Sequence, residues 1–240
     1  MHDGVDQLAA AFAARLLTRL VDLQSAGRVP AVVLTGGSVA YVVYRAVVDS
    51  AARDVVDWSR VDFWWGDERF VPEDSDERNA GQAQRSFLDH LPVDPARVHT
   101  MAASDGEYAD VDAAAAGYAA ELRRHTALDD AAAPVFDILV LGIGQDGHCA
   151  SLMPGSPALS ATGAVVGVRH SPKPPPTRIS LTMELLNRAT EVWWIAAGQD
   201  KAEPVRAAVT GADVTEVPAA GPKGLARTLW LLDRDAAAAL

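Results

Sequence analysis

Four short apolar runs, each closing on glycine or an acidic residue, constrain this chain more than any other feature: AVVLTGGS (31–38), VDFWWGDE (61–68), FDILVLGIG (136–144) and EVWWIAAG (191–198). Apolar runs of this length without polar alternation suit strands buried on both faces, and such strands occur in parallel sheets covered by helices. The segments between them can hold the crossover helices that parallel strands require. Leu8, Phe12, Leu16 and Leu20, with Leu23 a turn further on, recur at helical spacing, which predicts an amphipathic helix over residues 5–25 ended by Gly27 and Pro30. Further helices are expected over Val39 to Val48 and from Lys201, while ARTLWLLD (226–233) reads as a last strand before a short helix. The fold class is therefore α/β, an open, mostly parallel sheet with helices on both faces.

Two stretches stand apart from this alternation. Residues 104–134 are rich in Ala and Asp and predict one solvent-facing helix around Tyr118, Leu122 and His125, followed by a loop. In SPKPPPT (171–177) successive prolines forbid helix and favour an extended, stiff connection. No internal repeat or shift in composition marks a boundary, and 240 residues suit one α/β unit, so residues 1–240 are expected to form a single domain.

Composition narrows the partners. With 21 basic against 32 acidic residues the formal charge is −11, the wrong sign for binding nucleic acid or an anionic membrane. The lone Cys149 excludes an intramolecular disulfide and a Cys-rich zinc site, so a cytoplasmic location is expected. Asp3 and Asp6 stand where a secretory signal would carry positive charge, and no apolar run approaches a membrane span; the mature chain is expected to start near Met1. Clustered metal ligands are not evident, and a monomer or small homo-oligomer is expected.

In open α/β sheets ligands bind beyond the carboxyl ends of the strands, and three of those ends carry unusual residues. The first has Gly36, Gly37 and Ser38 opening a helix, where free N–H groups and the helix dipole suit a phosphate, although the same residues also serve as a tight turn with an N-cap. The second has Asp67, Glu68 and Arg69 with Asn79 after a short loop, either a binding cluster or a surface ion pair with a helix cap. The third, GIGQDGHCASLMPGS, places Gly142, Gly144 and Gly147 in dinucleotide-turn order. Pro154 and Pro157 interrupt the helix such a turn needs, and Arg169 and His170 stand where an acidic residue would be required. The glycines instead suit a loop that lets backbone approach a ligand and presents Asp146 and His148, the latter as a general base. Arg178 and Lys201 are the cations that could hold a phosphate in this acidic chain. Cys149 reads as a small buried residue, and the pairs Trp64-Trp65 and Trp193-Trp194 as core, one ring on each side of the sheet.

The strand-GGS turn, W-x-D-E-R followed by Asn, G-x-G-x-D-G-H-x-A-S-L-x-P-G-S, R-I-S-L and a late G-x-x-K occur here in the order that resembles the 6-phosphogluconolactonases, from about residue 30 to the terminal WLLD. The resemblance implies a three-layer Rossmann-like sheet, shared with glucosamine-6-phosphate deaminases, and hydrolysis of 6-phospho-D-glucono-1,5-lactone to 6-phosphogluconate in the pentose phosphate pathway without cofactor or metal. It implies His148 as general base and Asp146 as the carboxylate that orients the sugar or the water. It further implies Gly36, Gly37 and Ser38 as the phosphate loop, Arg178 and Lys201 as phosphate-binding cations, and Asp67, Arg69 and Asn79 around the sugar and phosphate. Backbone N–H groups of the glycine loop are expected to meet the oxyanion, with no particular amide singled out, and Gly144 and Gly147 are expected to bind the substrate. Val39 and Ala40 depart from the family's Thr-Pro, and Cys149 from its Thr. The alternatives on the same fold are an amino-sugar phosphate deaminase or isomerase, whose pattern G-H-I-A-F-N-E-P carries a glutamate absent from CASLMPGS, and a non-catalytic sugar-phosphate-binding module, which would usually join a DNA-binding unit.

Overall fold

Each of the apolar runs forms a strand in the computed structural model, which describes residues 1–130 and 135–240. The chain begins with helix α1 (Val5–Ser25), strand β1 (Ala31–Leu34), helix α2 (Ser38–Val48) and strand β2 (Asp62–Trp65). Strand β3 (Asp67–Arg69) and helix α3 (Asn79–Ser86) lead to α4 (Val111–His125) and β4 (Phe136–Gly142). Strands β5 (Val165–Val168) and β6 (Arg178–Leu181), the single turn α5 (Met183–Leu186), β7 (Ala189–Ala196), α6 (Ala202–Val209) and β8 (Arg227–Leu232) complete it.

The parallel sheet runs β2-β1-β4-β7-β8. Its order reverses at β1: the chain leaves β1 for β2 on one side and comes back to lay β4 on the other. Loops leaving β1 and β4 therefore diverge, which opens a crevice between their carboxyl ends. Register fixes the layers. Val33 pairs with both Trp64 and Leu139, and Leu139 with Val192, so these side chains share one face while Trp193 points to the other. Trp64 meets Tyr118 of α4 with ring centroids 5.8 Å apart, and Trp193 meets Phe12 of α1 at 5.8 Å, so helices cover both faces. All four paired tryptophans are buried, as their strand positions predict.

A second, antiparallel sheet, β3-β6-β5, was not evident in the sequence. Strand β3 continues β2 past Gly66, whose N–H donates to the Leu34 carbonyl (3.1 Å) and whose carbonyl accepts from Leu181 N–H (2.9 Å). That glycine is where the chain leaves one sheet for the other. The proline segment joins β5 to β6 and turns back on itself, Ser171 N–H donating to the Pro176 carbonyl at 2.9 Å, instead of running extended. Pairing of Val168 with Arg178 forces the two ends together, overriding the stiffness of the prolines.

Two other expectations need correction. Helix α4 is not solvent-facing: Val111, Ala114, Ala115, Tyr118 and Leu122 are buried, and the Tyr118 hydroxyl accepts from Trp65 N–H (2.9 Å) and donates to the His99 carbonyl (3.2 Å). Its small alanines allow close approach to the sheet, which the low content of large apolar residues concealed. After β8 the chain makes hydrogen-bonded turns in place of the expected short helix, Ala237 N–H reaching the Asp233 carbonyl at 3.1 Å. Part of the loop expected after α4, residues 131–134, lies outside the described residues. No helix among the described residues is long and apolar enough to cross a membrane.

Candidate active site

Nine of the residues singled out in the sequence line one cavity of about 250 Å³ at the divergence of β1 and β4: Gly36, Gly37, Asp67, Arg69, Asn79, Gly144, His148, Arg178 and Lys201. Ser38 lies on an adjoining recess with Lys201, and Asp146 stands behind the His148 ring. Gly147 does not line the cavity; with φ of +80° it makes the turn that places Asp146 and His148 together, a backbone conformation glycine adopts without strain.

The His148 ring is set by its neighbours. Its Nδ1 meets the Asp146 carboxylate, and the ammonium of Lys173 lies 3.2 Å from Nδ1 and 3.1 Å from Asp146 Oδ1. A carboxylate at Nδ1 selects the tautomer with hydrogen there, leaving Nε2 for the crevice. Gly144 has a steric role, because a Cβ at that position would collide with both the His148 ring and the Asp146 carboxylate. Burial pushes the imidazole below its usual value and the Lys173 charge pushes the same way, against Asp146. For Asp146, burial works upward, but the His148 hydrogen bond and the His148 and Lys173 charges outweigh it and hold the carboxyl at about 2. An ionised carboxylate thus supports a neutral imidazole near pH 7.

Lys173 was not singled out from sequence, because it sits among prolines whose loop reads as a connector. The one local hint is that Lys173 is flanked by Pro172 and Pro174 and lies five residues before Arg178, the first residue of β6. Gly144 N–H donates to the His148 carbonyl (2.9 Å) and Gly147 N–H to the Gly144 carbonyl (3.0 Å), so neither amide is free for an oxyanion. Their mutual bonds are what close the loop.

The Asp67-Glu68-Arg69 strand alternates. Glu68 points inward, fully buried, and accepts from the N–H groups of Arg69 (2.7 Å), Asn79 (2.7 Å) and Ala80 (2.8 Å), which caps α3. Burial raises its carboxyl, opposed by those hydrogen bonds and by Arg78. Asp67 and Arg69 on either side face the cavity, so this cluster contains both a helix cap and site residues. Asp67 accepts from Ser151 Oγ at 2.6 Å, and Asn79 Nδ2 donates to the Asp67 carbonyl at 2.9 Å. Gly36 must lack a side chain because Asn79 occupies the space of a Cβ.

The phosphate-type features fall at one end. Gly37, at φ of +101°, turns the chain from β1 into α2, and no side chain caps that helix. The Tyr44 hydroxyl bonds both the N–H and the carbonyl of Thr35 at 2.9 Å and fixes the turn. Lys201 reaches the same recess, with Asp200 Oδ2 3.3 Å from its ammonium. Arg178 is differently placed. It is 4% exposed, and its guanidinium donates to the carbonyls of Lys173 (3.1 Å), Pro174 (3.3 Å) and Pro175 (3.1 Å), so most of its donors hold the proline loop. Cys149 is buried with its thiol pushed up by burial, an inert core residue.

With this geometry in hand, residues 3–230 match the family described as glucosamine-6-phosphate isomerases/6-phosphogluconolactonase. The chain belongs to this family. Among curated relatives, a 6-phosphogluconolactonase of Streptomyces coelicolor is 53% identical, covering 100% of this chain and 93% of the relative. One from Mycobacterium tuberculosis is 48% identical over 98% of this chain and 95% of its own length. Among solved structures, the 6-phosphogluconolactonase of Trypanosoma brucei superposes with a TM-score of 0.86 at 27% identity, covering 100% of this chain and 97% of that one. A monomeric glucosamine-6-phosphate deaminase, 19% identical with a TM-score of 0.79, shares the fold.

Proposed function

We propose that the protein hydrolyses 6-phospho-D-glucono-1,5-lactone to 6-phospho-D-gluconate, the activity for which its full-length relatives are named. The observation that carries the mechanism is the His148 imidazole, which lines the crevice and is backed at Nδ1 by Asp146 and Lys173. Nε2 takes a proton from water as the water oxygen bonds to C1 of the lactone. The tetrahedral intermediate then collapses with cleavage of the C1–O5 bond, and O5 regains a proton as the ring opens. A lactone is an activated ester, so no covalent nucleophile is needed, and a placed base contributes about 10² to 10⁴-fold.

The 6-phosphate sits at the start of α2, where Gly36, Gly37 and Ser38 offer backbone N–H groups, the helix dipole adds positive potential and Lys201 supplies a full charge. Asp67, Arg69 and Asn79 flank the sugar, and Arg178 holds the loop that carries Lys173 against His148. The test is turnover of freshly made phosphogluconolactone, corrected for spontaneous hydrolysis, by the wild type and by His148→Asn. The variant should lose at least about 10²-fold in kcat with KM changed only a few-fold. Near-wild-type turnover by folded His148→Asn would sink the assignment of the base.

A further inference from the structure

Away from the crevice, helix α4 and the segment before it bring three metal-ligating side chains together. Glu121 and His125, one turn apart, share a face of the last turns of α4, and His99 comes from the loop that follows Arg97. His99 Nδ1 lies 3.0 Å and His125 Nε2 3.4 Å from the same oxygen, Glu121 Oε1. All three ligand atoms fall within 4.8 Å of one another. Bonds of 2.0 to 2.1 Å in a tetrahedral zinc site place neighbouring ligand atoms about 3.3 Å apart, close to the two histidine–glutamate spacings of 3.0 and 3.4 Å here.

We propose that His99, Glu121 and His125 bind one divalent first-row transition-metal ion, zinc by preference, leaving its fourth position to water. The second nitrogen of His99 supports this. His99 is 5% exposed, and its Nε2 has no hydrogen-bond partner, with Asp62 Oδ1 3.7 Å away. A neutral His99 that donates from Nδ1 to Glu121 turns an Nε2 lone pair toward the Asp62 carboxylate, an unfavourable pairing. An ion on Nδ1 moves the hydrogen to Nε2 and points a donor at Asp62, the carboxylate–histidine–metal arrangement common around zinc. Arg124 engages the other Glu121 oxygen and Arg97 holds Asp62 at 2.9 Å, which keeps both carboxylates oriented. The end of α4 also carries the negative pole of the helix dipole, which favours a cation. Two imidazoles and a carboxylate favour zinc over calcium or magnesium. The ion would tie the His99 loop to the end of α4.

The experiment uses the full chain without a histidine tag, stripped with chelator and titrated with Zn²⁺ and Co²⁺ by calorimetry and absorbance. The expected result is one equivalent bound, four-coordinate visible bands for cobalt, and quenching of tryptophan emission, since the Trp64 ring stacks on His99 with centroids 3.9 Å apart. The exposed His125→Gln should weaken binding at least about 10-fold, Asp62→Asn by about 10 to 10²-fold, and His148→Asn should bind as the wild type does. An absence of stoichiometric uptake overturns the proposal. Uptake unchanged in His125→Gln, or lost in His148→Asn, overturns it as well.

Discussion

His148 is pulled in two directions, and the balance sets a measurable pH dependence. Burial and the Lys173 ammonium lower the imidazole while Asp146 raises it, with burial the larger influence. The base proposed here works when deprotonated, so activity should be full above its pKa and lost as pH falls through it. Because that pKa lies below the ordinary imidazole value, the acid limb of kcat/KM should fall below the usual imidazole range. Lys173→Met removes a lowering charge and should move that limb to higher pH; Asp146→Asn removes a raising one and should move it lower. Asp146, at about 2, stays ionised throughout and does not contribute a limb of its own. A profile of kcat/KM against pH for the three proteins checks all three signs. Gly144 answers to the same geometry from the steric side. A methyl group there displaces the His148 ring, so Gly144→Ala should lower kcat by about 10²-fold, the cost of misplacing a reacting group by roughly an ångström, with circular dichroism unchanged.

Two elements deliver positive charge to the crevice by different means, and their removal should separate. Lys201 follows Gly198, whose N–H is held at 3.1 Å by Asp233, and it serves the recess at the α2 N-terminus. Lys201→Ala should therefore weaken kcat/KM on the phosphorylated lactone by about 10 to 10²-fold and barely change the poor rate on glucono-1,5-lactone. Arg178 spends its donors on the proline loop, so Arg178→Ala should free Lys173 and depress both substrates. Equal effects of the two substitutions on the two lactones would contradict this division. The same elements show what a sequence exposes. Parallel strands were legible because burial on both faces writes an uninterrupted apolar run, and the crevice followed from the glycines and charges at their ends. The β3-β6-β5 sheet was not, since DER and RISL carry no such pattern and pair only because Gly66 lets the chain leave the main sheet. Helix α3, with the polar sequence NAGQAQRS, depends on a cap from Glu68, eleven residues before Asn79, and that contact is tertiary. Asp146 and His148 were legible as a pair two residues apart; Lys173 joins them from twenty-five residues beyond His148 through a loop folded by Arg178.

Across the whole molecule the crevice and the His99 cluster sit at opposite ends of the same strand. Asp62 opens β2 at its amino end, beside His99, while Trp65 closes it next to Gly66 and Asp67 at the crevice, about 10 Å along at roughly 3.3 Å per residue. Among the described residues the His99 group is the cluster able to hold an ion, and none of its members lines the crevice. The lactonase chemistry proposed here uses a base, a water and an activated ester. Chelation should consequently divide stability from catalysis. If the cluster carries an ion, exhaustive EDTA treatment lowers Tm, because an ion bound to the native state alone stabilises it by mass action and its loss removes that contribution. Turnover measured well below Tm should survive unchanged, and added Zn²⁺ should restore Tm without raising kcat. Paired thermal melts and lactone assays on one chelated preparation provide the check. Loss of turnover with EDTA, recovered by a single metal, would place an ion in the crevice and contradict the metal-free role given to His148.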